Sequence, residues 1–446
     1  MAEPTGAITL DPAYTRSVLD LTMRLAEVIF AAGAGAEDAT AAMQAITRAY
    51  GLRSTEADIT HTLITLTHEN PSTHESISRS RNVKYRTLDY SKLTATSELI
   101  AELIEAPTDV ADARKRLATI VNAKPLVTRQ VRRLGWSLLG SGAAVLIGGG
   151  PTVILAAFIA AYVIDLITTT MANRKVPVFY QTVVGGSIGP IVAAIMHVVD
   201  PTASPSIVVV AAIIMLLAGV TTFGAVHDTL SGFYVTGTAR LMEAVLITAG
   251  LVTGVAGTGL LLGRLGLDLR ISATIAPTLA DLPVLLGASV IIVIGFSLAA
   301  QVPWRAVWVV CVLGAFGQFL YLAGIGAELG AVWASGASAF GVGLAASVAA
   351  RIVRTPPLVI VVSALVPLVP GLTLFSGLLH VSEGSIDGLL GLLTAGAIAV
   401  ALAAGAILAQ YLVQYVWGPA RRLQQRFIGP LMALPVRLGR NGSKRI

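Results

Sequence analysis

The sequence predicts an all-α polytopic membrane domain of ten transmembrane helices, in two inverted repeats of five, preceded by a small α+β cytoplasmic domain. Three observations predict it. Hydrophobic residues make up 55% of the 446 and charged residues only 13%, with a mean hydropathy of +0.77, outside the range of a soluble globular protein. From Leu134 the apolar runs reach roughly 20 residues each, enough to cross a bilayer. Within that apolar part, one stretch matches another at a fixed offset of 152 residues.

The first 133 residues differ in kind and read as one α+β domain of ordinary size. Apolar positions recur at helical spacing over 12–32 (Val18, Leu21, Leu25, Val28, Ile29), and Gly33 and Gly35 stop them. A second helix is expected over 36–50. The Thr- and Ile-rich EADITHTLITLT, a turn at Asn70-Pro71 and a polar strand over 75–81 read together as a small hairpin. Two further helices, 91–105 and 108–123, are separated by Pro107.

Ten apolar runs follow, centred near residues 142, 161, 189, 214, 250, 291, 313, 339, 368 and 402. The first is short and glycine-rich. They divide into repeat 1 (134–263) and repeat 2 (281–418), with a basic tail over 419–446. The basic residues set the orientation. Lys124, Arg129, Arg132 and Arg133 precede span one, Arg174 and Lys175 follow span two, Arg305 follows span six, and Arg351 and Arg354 follow span eight. With the tail, these fall on one side, and Arg264 and Arg270 on the other. Both termini are then cytoplasmic, and 1–16 lacks the basic-then-apolar pattern of a signal peptide.

The repeat is clearest where PSIVVVAAIIMLLAGVTTFGAVHD, from Pro205, is laid over PPLVIVVSALVPLVPGLTLFSGLLH with Pro205 on Pro357. Eight positions coincide, among them Gly219 with Gly371, Thr221 with Thr373 and Phe223 with Phe375. The same offset pairs Pro151 with Pro303 and Gly189 with Gly341. Five spans is an odd number, so the second copy enters the membrane inverted. Inverted repeats with broken helices are a recurring plan of secondary transporters. Broken backbone at membrane depth is tolerated where it lines a cavity or is buried in protein.

Few residues could carry chemistry. Asp165 lies well inside span two, where a carboxylate costs roughly 2.5–3.5 kcal/mol to insert; it reads as a proton carrier or ammonium ligand, or as a helix–helix hydrogen bond. His227 and Asp228 close span four and suit a proton-coupled step or an interfacial cap. Arg240 and Glu243, at i,i+3 spacing, read as an ion pair. Gln181, Gln318 and Thr168 to Thr170 either hydrogen-bond a substrate or join helices. His197 and His380 read as interfacial.

Several function classes are excluded or unsupported. His61, His68, His74 and Glu69 fit no compact zinc motif, so no metal is expected. GGGP lacks the Lys-Ser/Thr of a phosphate loop, and no Gly-x-Ser-x-Gly elbow occurs. No cofactor, nucleic acid or enzymatic activity is expected, and the energy source is expected to be an ion gradient. The lone Cys311 excludes an intramolecular disulfide. Residues 419–446 hold 7 basic and no acidic side chains, including Arg421, Arg422 and Arg426, which points to anionic membrane lipid.

At GAVHDTLSGFYVTGTARLMEA, and again at LVPLVPGLTLFSGLL, the chain resembles the bacterial threonine/serine exporter family. The resemblance extends over almost the whole chain, including LDLTMRLAEVIFAAGAGAEDAT and YGLRSTEADITHTLITLT near the N-terminus. It implies export of threonine and serine from the cytoplasm across the inner membrane, driven by the proton-motive force. For such a zwitterion, Asp165 or Asp228 would serve the ammonium, amides at Gly219 and Gly371 the carboxylate, and Thr221 or Thr373 the hydroxyl, with His227 and Gln181 nearby. A homo-oligomer is left open. The alternative is an intramembrane aspartyl protease using Asp165 and Asp228 as a dyad.

Overall fold

A computed structural model describes residues 11–70, 73–83, 87–217, 219–267, 282–382 and 384–417. The basic tail and Arg270, read above as orientation signals, lie outside them. In the N-terminal part, α1 (Pro12–Ala31) and α2 (Ala36–Ala49) follow the apolar periodicity. Asp11 caps α1 by accepting from the Ala13 amide. Gly33 turns the chain between them at φ +112, which only glycine adopts freely.

The threonine-rich stretch expected to form one arm of a hairpin is itself a hairpin: β1 (Thr55–Thr60) and β2 (Leu63–Glu69), with β3 (Ser76–Asn82) completing an antiparallel sheet in the order β1-β2-β3. His61 makes the tight turn at φ +53. Neither His61 nor Thr62 is a usual turn residue, so the pattern hid the break. Helices α3 (Tyr90–Glu105) and α4 (Val110–Asn122) follow, capped by Asp89 and Asp109.

Twelve more helices come after: α5 (Arg129–Leu146), α6 (Pro151–Asn173), α7 (Val178–Val199), α8 (Pro205–Ile213), α9 (Gly219–Leu230), α10 (Tyr234–Arg264), α11 (Leu282–Ala299), α12 (Trp304–Gly326), α13 (Gly330–Val353), α14 (Pro357–Leu365), α15 (Gly371–Ser382) and α16 (Asp387–Trp417). Among the described residues seven are long and apolar enough to cross a membrane, or nine spans if the bent pairs α8–α9 and α14–α15 each count once. The chain is a multi-pass membrane protein. The expected count of ten depends on α5, which falls short because Arg129, Arg132 and Arg133 occupy its first two turns.

Helix starts recur at the offset seen in the sequence: Pro205 and Pro357 open α8 and α14, and Gly219 and Gly371 open α9 and α15. The counterparts α5 and α11 pack against each other along small residues. A β-carbon on Gly135 would stand 2.7 Å from the Gly295 carbonyl, and one on Gly142 would stand 3.1 Å from the Ala288 carbonyl. Rising numbers on one helix meet falling numbers on the other, so the two cross antiparallel. Such close approach is how helices gain packing contacts where lipid supplies no hydrophobic drive.

The N-terminal part caps one end of the bundle and is fastened to both halves of it. The hairpin tip docks on α10, where the His61 amide donates to Thr236 Oγ1 (3.0 Å) and that hydroxyl donates to the Ile59 carbonyl (3.0 Å). The Tyr90 amide donates to the Ala300 carbonyl at the end of α11 (2.9 Å), and Gln301 Oε1 accepts from the Leu126 amide (3.0 Å). Arg305 at the start of α12 pairs with Glu98. One apolar core runs through this junction, from Val18, Leu25 and Phe30 to Phe296, Leu358 and Val362.

Candidate functional site

Both bent helices break in the same way. After α8 the chain tightens into a 3-10 turn at Ile214–Leu216, Leu217 takes an extended conformation (φ −64, ψ 132), and α9 departs at 48°. After α14, Val366–Leu368 repeat the turn, Val369 is extended (φ −65, ψ 131), and the following helix departs at 50°. Pro370, lacking an amide hydrogen, cannot continue the ladder in the second copy.

The two breaks touch each other reciprocally. A β-carbon on Gly219 would overlap Val369, and one on Gly371 would stand 2.7 Å from Leu217 Cβ. At the 152-residue offset Leu217 corresponds to Val369, so each break presses its glycine against its counterpart's extended residue. That reciprocity is the signature of a two-fold contact.

A cavity of about 420 Å³ opens beside the touching breaks, within the range of small-molecule sites. Its walls include Ile214 to Leu217, Gly219 to Thr221, Val366, Pro367, Val369 and Gly371. Trp136 and Phe296 supply aromatic faces, 6.3 Å apart and edge to face. The polar groups are Thr168, Gln181, Thr182 and Thr221, and no charged side chain lines it among the described residues. Gln181 Nε2 donates to the Val176 carbonyl (2.7 Å), which holds the amide in place. The first amides of α9 and α15 begin at this cavity, and a helix's first four amides have no partner within the helix.

Five of the residues singled out in the sequence therefore meet here: Thr168, Gln181, Gly219, Thr221 and Gly371. The others do not line the cavity. Thr373 lies one turn into α15, where its carbonyl accepts from Ser376 Oγ (3.1 Å). Asp165 is buried in α6 with Oδ2 3.5 Å from Arg133 Nε on α5. Asp228 is fully buried and pairs with Arg240 at 2.6 Å. Neither carboxylate is placed to receive an ammonium in the cavity, because each already neutralises an arginine.

Arg240 interacts electrostatically with Glu243, as expected, and also pairs directly with Asp228. A turn at Gly232 (φ +90) folds α10 back along α9, and that hairpin brings Arg240 across to Asp228, which local i,i+3 spacing could not reveal. The same carboxylate works in trans on α2. Its Oδ1 accepts from the Ala36 amide (2.9 Å), and Gly35 contributes no side-chain cap of its own. Arg240 also donates to the Ala34 carbonyl (3.4 Å) and lies over the Phe30 ring, 5.3 Å from its centroid. Asp228 and Arg240 form the latch that holds the α1–α2 connection against the bundle.

His227 is buried beside the latch and lines a second chamber of about 260 Å³ between the bundle and the N-terminal part. The residues that sequence reasoning missed are Arg133, read only as an orientation signal, and the docking residues Ala36, Thr236 and Tyr90. The insertion cost of Asp165 was the available signal for a cationic partner.

Two family models match the chain: "Putative threonine/serine exporter" over residues 20–262 and "Threonine/Serine exporter, ThrE" over residues 286–412. The chain belongs to the threonine/serine exporter family. Two curated members are similar across it. The "Probable threonine/serine exporter" of Mycobacterium tuberculosis (strain ATCC 25618 / H37Rv) is 30% identical over 430 residues, covering 94% of this chain and 80% of that protein. The "Threonine/serine exporter" of Corynebacterium glutamicum is 29% identical over 428 residues, covering 94% and 87%. No solved structure matches. Membership in an exporter family makes the chain a transporter and not an enzyme, and the protease alternative is not favoured. A catalytic dyad needs two carboxylates sharing a proton, whereas here each aspartate has its own arginine.

Proposed function

We propose that the chain exports threonine and serine from the cytoplasm across the bacterial inner membrane, by proton antiport with alternating access, and that the substrate binds in the cavity between the two helix breaks. The touching breaks carry this reading. A broken helix presents an electropositive N-terminus and an electronegative C-terminus at one point. Amides at Gly219 and Gly371 serve the substrate carboxylate, the latter by leaving the Val369 carbonyl to which it donates (2.8 Å), and carbonyls at the ends of α8 and α14 serve the ammonium in place of a side-chain carboxylate. Thr221 and Gln181 serve the hydroxyl. The names borne by the two relatives support the choice of substrate.

The ten-span arrangement in two inverted units belongs to the same reading, with α5 as the short first span. The common offset, the antiparallel crossing of α5 and α11, and the reciprocal contact of the breaks support it. The N-terminal domain, 1–133, is then cytoplasmic, since its described residues pack at the end of the bundle where Arg305 meets Glu98 and Arg354. Both termini are cytoplasmic, and the basic tail meets anionic lipid.

Asp165 is the assigned proton carrier. Its 3.5 Å approach to Arg133 is looser than the 2.6 Å pair at Asp228, so a modest shift of α5 against α6 exchanges the arginine for a proton. Labelled threonine in proteoliposomes with an imposed pH gradient tests the whole. Gradient-driven transport should be present in the native protein, absent from empty liposomes and uncoupled from pH in Asp165→Asn. Absence of threonine and serine transport by the native protein would refute the substrate assignment.

A further inference from the structure

The polar groups on the wall of the large cavity are few, and most are already satisfied within their own helices. Thr168 Oγ1 donates to the Ile164 carbonyl (2.7 Å) and Thr182 Oγ1 to the Phe179 carbonyl (2.8 Å). Gln181 has one amide hydrogen engaged by the Val176 carbonyl, which leaves the other hydrogen and Oε1. Thr221, on the first turn of α9, makes no side-chain hydrogen bond among the described residues. Gln181 and Thr221 are both half-buried and line the cavity, so water or a ligand there reaches them. Around them the wall is aliphatic, with Leu146, Ile147, Ile247 and Ile292.

We infer that this exporter carries valine, and uncharged aliphatic α-amino acids of that size generally, nearly as well as threonine, and that Thr221 sets what preference there is. The inference deepens the proposed export function and rests on it, because it takes the substrate to bind between the breaks. Valine has the shape of threonine with a methyl group in place of the hydroxyl, so a cavity that admits one admits the other. A site rejects an analogue lacking the hydroxyl strongly, by about ten-thousandfold, only when the rejection leaves buried polar groups unpaired. Among the described residues no such group faces this cavity. Thr168 and Thr182 keep their partners, and Gln181 and Thr221 exchange the substrate hydroxyl for water. The added methyl group is received by the aliphatic wall, which offsets part of the lost hydrogen bonding. A charged side chain is another matter. No charged group lines the cavity among the described residues, so aspartate or lysine would enter without a counter-ion and is excluded.

The test is counterflow in proteoliposomes holding the full-length protein: vesicles loaded with one unlabelled amino acid are diluted into the same amino acid carrying label. Threonine, serine, valine and aspartate are compared in the native protein, in Thr221→Val and in Thr221→Ser, with empty liposomes as background. The native kcat/KM for valine should lie within about tenfold of that for threonine, the scale of one neutral hydrogen bond, and aspartate should give no counterflow. Thr221→Val should bring the threonine-to-valine ratio close to unity by lowering threonine, and Thr221→Ser, which keeps a hydroxyl, should hold it near the native value. The native comparison stands even where a variant fails to fold. A native protein that carries threonine and disfavours valine by about a hundredfold or more would overturn the inference and leave the export reading standing. An unchanged ratio in Thr221→Val would overturn the role of Thr221. Absence of counterflow for both threonine and serine would overturn the inference together with the export reading.

Discussion

Asp165 and Asp228 are both buried carboxylates, and each meets its desolvation cost with an arginine drawn from a different helix. They differ in what else they hold. Asp228 is closed on both oxygens, by Arg240 and by the Ala36 amide, and removing one member of such a buried pair strands the other. Asp228→Ala should therefore destabilise the protein by about 3–5 kcal/mol. The double change with Arg240→Leu should cost less than the two single changes summed, read by thermal unfolding in detergent. Outside the spans, Asp200 behaves as a surface cap: hydrogen bonds from Thr202 and Thr152 hold its carboxyl below the usual carboxylate range. Its folded value lies below its unfolded one, so its contribution is present above the ordinary carboxylate value and disappears as pH falls through the depressed one. Hydrogen-exchange protection factors over 199–205, taken relative to the intrinsic rate at each pH, should fall on acidification through that window, and Thr152→Ala should move the onset to higher pH.

At the scale of elements, the breaks matter more than any single ligand. A 3-10 turn, an extended residue and a new helix at 48° or 50° recur in both halves, and each break is seated on the other through a glycine. Because Gly219 lies against Val369, Gly219→Ala should push the breaks apart and reduce threonine transport at least about tenfold, as misplacement of about 1 Å does elsewhere. Val369→Ala, which removes the methyl groups in the way, should restore much of it in the double variant. A Gly219→Ala protein that transports at the native rate would mean the breaks are not the moving or binding point. Lengthening of the α5–α11 contact by Gly135→Val should instead act on stability, since the obstruction there is backbone: the Gly295 carbonyl at 2.7 Å and the Ala299 amide at 2.8 Å.

For the whole molecule, the N-terminal part cannot be a passive appendage. It is tied to α9 and α10 through Ala36, Ala34 and His61, to α11 and α12 through Tyr90, Leu126 and Glu98, and to α16 through Tyr411, whose hydroxyl donates to Glu37 (3.5 Å). Any rocking of one half against the other has to break or carry these ties. A cross-link between His61→Cys and Thr236→Cys, made in a Cys311→Ser background, should arrest transport under oxidation and release it on reduction. Continued transport by the cross-linked protein would show that the hairpin rides with α10 throughout the cycle.

Local signals in the chain determined the membrane class, the course of nearly every helix, the positions of both breaks and the offset that relates them. Hydrophobic periodicity, proline and glycine act over a turn or a span, and those lengths are written in consecutive residues. The same locality explains the miss at His61, a turn without turn residues, and the shortness of α5 as an apolar span, since three arginines fill its first turns before the apolar run at Leu134. Gln181, Gly219, Thr221 and Gly371, which line the cavity beside the breaks, were legible as candidates because breaks and intramembrane polar groups stand out against a greasy background. Partnership was not legible. Asp228 caps an amide 192 positions away, Arg133 reaches Asp165 across two helices, and His227 and Glu243 share a chamber with a loop from the far end of the chain. Only tertiary packing decides which buried charges meet, because their energies depend on distance and desolvation in three dimensions, and no spacing along the sequence encodes either.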